Sequence, residues 1–367
     1  MLVTIVAFIL ILSLLVLIHE LGHFLLAKRF GIKVEEFGFG FPPRVFGKRI
    51  GETLYSINLL PVGGFVKLYG EDAAGGGKVG GAKVKNKNYD LKRAFFARSA
   101  WQRALIVLAG VVMNFLLAVV LISYLFATQG VSIPGKTVRI VEVLKDGPSY
   151  VAGIKNDDII LSINAKMVEK NEDFIAETKA HLGEAVTVRV KRGEKIIAIT
   201  LIPRLESPKG EGPLGVGISN IEIKKYSWYE APFFGTVEAL KFSYLIGKGL
   251  FDMLINLVLH GQKPTGVAGP VGVAQLTGQA VSYGFNATMW FVALLSLNLA
   301  VLNVLPIPAL DGGRLFFILI EMVTRKKINQ RYEAYAHAVG LVVLLGLIVL
   351  ITVFDVVRIF SGKNILP

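Results

Sequence analysis

The run Val16-Leu17-Ile18-His19-Glu20-Leu21-Gly22-His23-Phe24-Leu25-Leu26 places two imidazoles and a carboxylate inside a segment otherwise apolar enough to cross a bilayer. On an α-helix, positions i and i+4 share a face, so His19 and His23 can hold one metal ion while Glu20 serves as base toward a water beside it. An ionisable side chain inside a membrane span costs about 2.5 kcal/mol or more and is by default a functional feature. The segment therefore predicts a zinc hydrolase site set within a membrane helix.

The rest of the chain agrees with a membrane setting. Of its 367 residues 53% are hydrophobic and 18% charged, and mean hydropathy is +0.58. Four stretches lack Lys, Arg, Asp and Glu over a length that spans or nearly spans a bilayer: Leu2 to Ile18, Ala104 to Ala127, Ala287 to Leu310 and Ala338 to Phe354. No basic residue precedes the first and no small-x-small cleavage site follows it, so it is expected to be retained rather than removed as a secretory signal.

Basic residues assign the sides. Lys28 to Arg103 holds 15 Lys/Arg against 6 Asp/Glu, whereas the longer Thr128 to Asn286 holds 18 against 16. The first connection is thus expected to be cytoplasmic and the second extracytoplasmic, with both termini outside. The net charge of +13 is accounted for by this orientation and by attraction to anionic lipid; no nucleic-acid motif accompanies it, and nucleic acid is not an expected partner. The chain has no cysteine, which excludes disulfides, thiolate ligands and a cysteine nucleophile.

Two histidines leave zinc short of a protein ligand, since catalytic sites add a third and keep one position open. His19 lies about 26 Å along a helix entering from outside, in the inner part of the bilayer. Asp311 matches that depth in Asn303-Val304-Leu305-Pro306-Ile307-Pro308-Ala309-Leu310-Asp311-Gly312-Gly313, where prolines interrupt the helix and glycines allow close backbone approach. His181 and His260 fall on the other side, and His337 is a weaker rival for the place.

These residues resemble the site-2 protease family of intramembrane metalloproteases: His19-Glu20-x-x-His23 in the first span and Leu310-Asp311-Gly312 in the third. The similarity runs through most of the chain, including Gly110-Val111-Val112-Met113-Asn114, Gly269-Pro270-Val271-Gly272 and the stretch from Asn298 to Pro308. The resemblance implies that His19, His23 and Asp311 bind Zn2+ and that Glu20 is the catalytic acid and base. It also implies that Asn114, Asn298 and Asn303 contact substrate or polarise the scissile carbonyl; for each, a plain helix-to-helix hydrogen bond is the alternative.

A helical substrate hides its carbonyls, so a transmembrane target must unwind and be held as a strand. Phe37-Gly38-Phe39-Gly40-Phe41 and Gly63-Gly64-Phe65-Val66-Lys67-Leu68 read as a β-hairpin. By resemblance this hairpin re-enters the membrane and pairs with substrate around Gly64 and Phe65. A surface hairpin on lipid headgroups is the alternative. Ala73 to Ala82 is a glycine-rich connector.

The fold class expected is a polytopic α-helical membrane protein of about four transmembrane helices, with a membrane-reentrant β-hairpin and an inserted extracytoplasmic PDZ-like α/β domain. Its divisions are the first transmembrane helix (1–30), the hairpin and linker (31–99), the second helix (100–128), the PDZ-like module (132–223), interfacial helices (224–285), the third helix (286–313), a cytoplasmic loop (314–336), the fourth helix (337–357) and a tail (358–367). The PDZ resemblance rests on Gly147 to Ile154, Asp158 to Asn164 and Pro213 to Val216, with Asp157 and Ala165 standing where that pattern has glycine.

The function expected is zinc-dependent intramembrane endoproteolysis, in the bacterial inner membrane, of single-span proteins already trimmed by another protease. By resemblance the targets are anti-sigma factors and remnant signal peptides, with peptide C-termini as PDZ ligands. A non-catalytic PDZ-containing chaperone or adaptor with a structural metal is the alternative, which an intact Glu20 argues against. A metal transporter would need several carboxylates along a path, and the spans offer only Glu20 with Asp311 at an end.

Overall fold

A computed structural model describes residues 2–71, 91–208, 210–261, 268–326 and 328–361. The glycine-rich connector from Ala73 to Ala82 and most of the tail lie outside them. The chain divides into two units, residues 1–127 with 227–367, and residues 128–226.

The first unit opens with helix α1, Leu2–Arg29. It stops in a Schellman motif: Gly31 takes φ 72°, its N–H donates to Lys28 O and the Ile32 N–H donates to Ala27 O. The two strands that follow, β1 (Val34–Ile50) and β2 (Thr53–Leu68), pair with each other in a hairpin whose register shifts fold each strand back on itself. Phe37 is thereby flanked by Val66 and by Tyr55, which leaves residues 64–68 as an outer edge. At the turn, Glu52 accepts from Arg93 at 2.7 Å and Lys28 at 3.0 Å. The Arg93 hydrogen bond, reinforced by Lys28, lowers its pKa to about 2.

Helix α2, Ala100–Thr128, starts in a capping box: Ser99 Oγ accepts from the Gln102 N–H while Gln102 Oε1 accepts from the Ser99 N–H. Later in the unit come α5 (Ala231–His260), α6 (Pro270–Ser282), α7 (Phe285–Val304), α8 (Asp311–Thr324) and α9 (Gln330–Phe360). Among the described residues four helices are long and apolar enough to cross a membrane: α1, α2, α7 and Arg331–Arg358 within α9. Their outward faces, such as Leu10 at 61% and Val342 at 72% exposure, are stable only against lipid. The region expected to hold interfacial helices is one 30-residue helix, α5, followed by α6.

Two boundaries differ from expectation. The third span ends at Val304, and Asp311 begins a new helix where a connecting loop was expected from residue 314 onward. Leu315 and Ile318 supply the reason. They share one face of α8 and bury it in a cluster with Ala27, Ile32, Phe95 and Ile106. Arg103 on α2 donates twice to Glu321 on α8 at 2.7 Å, fixing the helix that carries Asp311.

The second unit holds α3 (Pro148–Val151), α4 (Asn171–Ala180) and strands β3 (Val131–Val143), β4 (Ile159–Ile163), β5 (Lys166–Met167), β6 (Val186–Arg192), β7 (Lys195–Leu201) and β8 (Val216–Lys224). The sheet order is β7-β6-β4-β3-β8, with β5 paired to β4. Alternating residues such as Val186, Val188 and Val190 fill its core. Asp158 is fully buried and receives Arg192 at 2.7 Å and the Lys155 N–H at 2.9 Å. Burial alone raises its pKa, but these donors carry it below the usual carboxylate value.

Candidate metal centre

The buried side of α1 is a stripe through Leu15, His19, Gly22, His23 and Ala27, at helical spacing. Both histidines therefore face protein and not lipid. Gly22 makes this possible: a Cβ there would overlap the carbonyl of Ala109, so the glycine lets α1 and α2 touch backbone to backbone. Gly110, one residue on, plays the same part for the rings, since a Cβ would sit 2.5 Å from His23 Nε2 and 2.7 Å from His19 Cε1.

The third member arrives from α8. Gly312 and Gly313 nest against the carbonyls of Val304, Leu305 and Ile307, which lets the helix begin directly beneath the loop from Leu305 to Leu310. Ala309 in that loop holds φ 78°, and its N–H donates to His337 Nδ1 at 3.0 Å. His337 thus braces the loop and lies outside the metal-binding group. His181 caps the end of α4 in the second unit, and His260 ends α5.

His19 Nε2 lies 2.9 Å from Asp311 Oδ2, His23 Nε2 lies 3.2 Å from the same oxygen, and the two Nε2 atoms are 3.2 Å apart. Four ligands on a tetrahedron of radius about 2.0–2.1 Å stand about 3.3 Å from one another. The triangle of two imidazole nitrogens and one carboxylate oxygen fits zinc in ligand type and spacing, and its fourth corner is left for a non-protein ligand. Among the described residues these three are the one such group.

The far nitrogens of the rings are held as well. His23 Nδ1 lies 2.8 Å from the Ile106 carbonyl, so its N–H donates there and its Nε2 lone pair turns inward. His19 Nδ1 lies 3.4 Å from the carboxamide of Asn114, which is fully buried. Ile106, Gly110 and Asn114 thus form a single ridge of α2 behind the pair, and the Ile106 carbonyl, being backbone, left no mark in the sequence.

The catalytic candidate Glu20 points to the hairpin. Ser13 Oγ donates to Pro61 O at 2.7 Å, Gly63 packs on Val16, Gly64 on Leu17, and the Val66 N–H donates to Glu20 Oε2 at 3.0 Å. The chain from 61 to 66 therefore runs alongside residues 13 to 20 of α1. Glu20, His23 and Asp311 share with Phe65, Val66 and Arg314 a cavity of about 170 Å3. Arg314 pairs with Glu71 there and lies over the Phe95 ring. Asn298 and Asn303 stand apart: Asn298 donates back to Leu294 O at 2.9 Å, and Asn303 is half-buried in the last turn of α7.

Residues 7–347 match the model of peptidase family M50. The regulator of sigma-W protease RasP of Bacillus subtilis is 31% identical over 97% of this chain and 99% of its own length. The zinc metalloprotease RasP of Oceanobacillus iheyensis is 30% identical over 97% and 99%. A relative from Clostridium perfringens is 34% identical over 94% and 96%.

Proposed function

This chain belongs to peptidase family M50, the site-2 proteases, and from that premise we propose that it cuts single-span membrane proteins inside the bilayer. It is a zinc metalloprotease, as relatives are named, and we assign its zinc ligands as His19, His23 and Asp311, whose ligand atoms are grouped as such a site requires. The observation that carries this reading is the triangle of ligand atoms on the buried stripe of a helix long enough to span a membrane.

Held by His19, His23 and Asp311, zinc would supply the Lewis acidity that activates water near neutral pH and polarises a peptide carbonyl. Glu20 takes the proton of the attacking water and returns it to the leaving amine. Asn114 and the Ile106 carbonyl set the ring orientations of His19 and His23, while a substrate contact for Asn303 and Asn298, on α7, rests on the family resemblance alone.

The hairpin is read as re-entrant. Two observations support this: its alignment with residues 13 to 20 of α1, and its exposed apolar side chains, Val45 at 66% and Phe46 at 60% among them. An unwound substrate adds as a strand along residues 64–68, beside Gly64 and Phe65. The second unit is read as a PDZ-like module that takes peptide termini or filters targets by size, on the extracytoplasmic side with both chain ends.

The substrate class is the one the family resemblance implies: anti-sigma factors shortened by a first protease, and remnant signal peptides; a relative named as a regulator of sigma-W protease supports the first. Co-reconstitution in liposomes with one anti-sigma factor, intact or lacking its outer domain, tests this. Cleavage of the shortened form alone supports the proposal; equal cleavage of both removes the requirement for prior trimming.

A further inference from the structure

The contact between Glu20 and Val66 joins the catalytic base to the docking edge. Among the described residues, 64–68 have register partners on one side only, Phe39 for Gly64 and Phe37 for Val66. Backbone N–H groups that point outward from such an edge recur every second residue. Two are already taken by carboxylates: Val66 N–H by Glu20 Oε2 at 3.0 Å and Leu68 N–H by Glu71 Oε2 at 3.3 Å. Glu71 is anchored by Arg314, three residues beyond Asp311. The oxygens thus occupy places that the carbonyls of an incoming strand would take.

We infer that Glu20 is parked on the edge-strand donor the substrate needs, so that docking of an extended backbone on the Val66 N–H releases the carboxylate to act as base. The inference rests on strand addition as the mode of substrate binding. The Val66 N–H is part-buried beside the cavity, and leaving it unpaired there is costly. One acceptor therefore leaves as the other arrives, and the base is freed only when substrate is in register. Successive carbonyls of an extended chain point to opposite sides. The carbonyl on Val66 is then the immediate neighbour of the scissile one, which faces His19, His23 and Asp311.

The test is binding, not turnover. A fluorescent extended peptide is titrated against the full chain in lipid nanodiscs, stripped of zinc, as wild type, Glu20→Gln and Glu20→Ala. Glu20→Ala removes the competing acceptor and should tighten binding about tenfold, the worth of one charge-assisted hydrogen bond. Glu20→Gln keeps an acceptor of the same shape and should stay nearer wild type. A photocross-linker at Phe65 reports strand addition separately. Cross-linking with equal or weaker binding by Glu20→Ala overturns the inference and leaves strand addition standing. Binding without any cross-link at Phe65 overturns strand addition and the inference with it.

Discussion

Asn114 places its carboxamide 3.4 Å from His19 Nδ1, and its buried Oδ1 has no hydrogen-bond partner among the described residues. A half-turn of the amide directs Oδ1 at the ring N–H and leaves the His19 Nε2 lone pair for the metal. Asn114→Leu should therefore weaken zinc binding about 10- to 100-fold, and Asn114→Asp, which keeps an acceptor, should weaken it less. Chelator competition measures this. An unchanged zinc affinity with a raised KM would instead make Asn114 a substrate contact.

Ligand and base should separate in metal content. Asp311→Asn is expected to lower the zinc bound per chain, because Asp311 Oδ2 is, among the described residues, the carboxylate oxygen close to both Nε2 atoms. Glu20→Gln should leave zinc in place while abolishing cleavage. Elemental analysis of the purified variants checks both, and equal zinc in wild type and Asp311→Asn would refute the ligand assignment.

Gly22→Ala drives a methyl into the Ala109 carbonyl, and Gly110→Ala drives one into both imidazoles. Each should spread α1 from α2 and lose zinc, with Gly110→Ala losing it at smaller cost to the fold. Thermal melting and zinc content of the two variants, compared side by side, decide this.

Arg103 and Glu321 form a largely buried two-pronged pair, with side-chain exposures of 10% and 18%. Removing one partner strands the other, so Arg103→Met should cost about 3 kcal/mol. The double variant Arg103→Met with Glu321→Leu should recover much of it. A denaturation series over the four proteins measures the coupling.

Glu52 ties the hairpin turn to the end of α1, and its folded pKa near 2 lies below its ordinary value of 4.5. The folded state thus holds the proton less tightly than the unfolded one. Its contribution is complete above about pH 4.5 and is lost as pH falls toward 2. Melting temperatures of wild type and Glu52→Gln should differ most at neutral pH and converge over that window.

The grouping of His19, His23 and Asp311 was legible because a helix repeats every 3.6 residues and a bilayer has a thickness, which together align the three. The start of α8 at Asp311 was not, since Pro306 and Pro308 mark the break in a helix without saying where the next begins. The hairpin was visible in its alternation, but the return of 64–68 to the side of Phe37 depends on register shifts that no side-chain pattern records. In the second unit, Asp157 adopts φ 69°, which explains why a glycine pattern can carry aspartate there. The contacts of Glu20 with Val66 and of His23 with Ile106 use backbone atoms, and such partners have no sequence signature.

The proposed chemistry is hydrolysis inside the membrane by zinc at His19, His23 and Asp311 with Glu20 as base. The direct measurement is the product mass from a detergent-solubilised single-span peptide incubated with wild type or Glu20→Gln, with and without phenanthroline. A cut within the apolar segment that disappears with the substitution and with the chelator is the predicted result. Cleavage that survives either change, or zinc-loaded wild type that cuts none of a varied peptide panel, would contradict it.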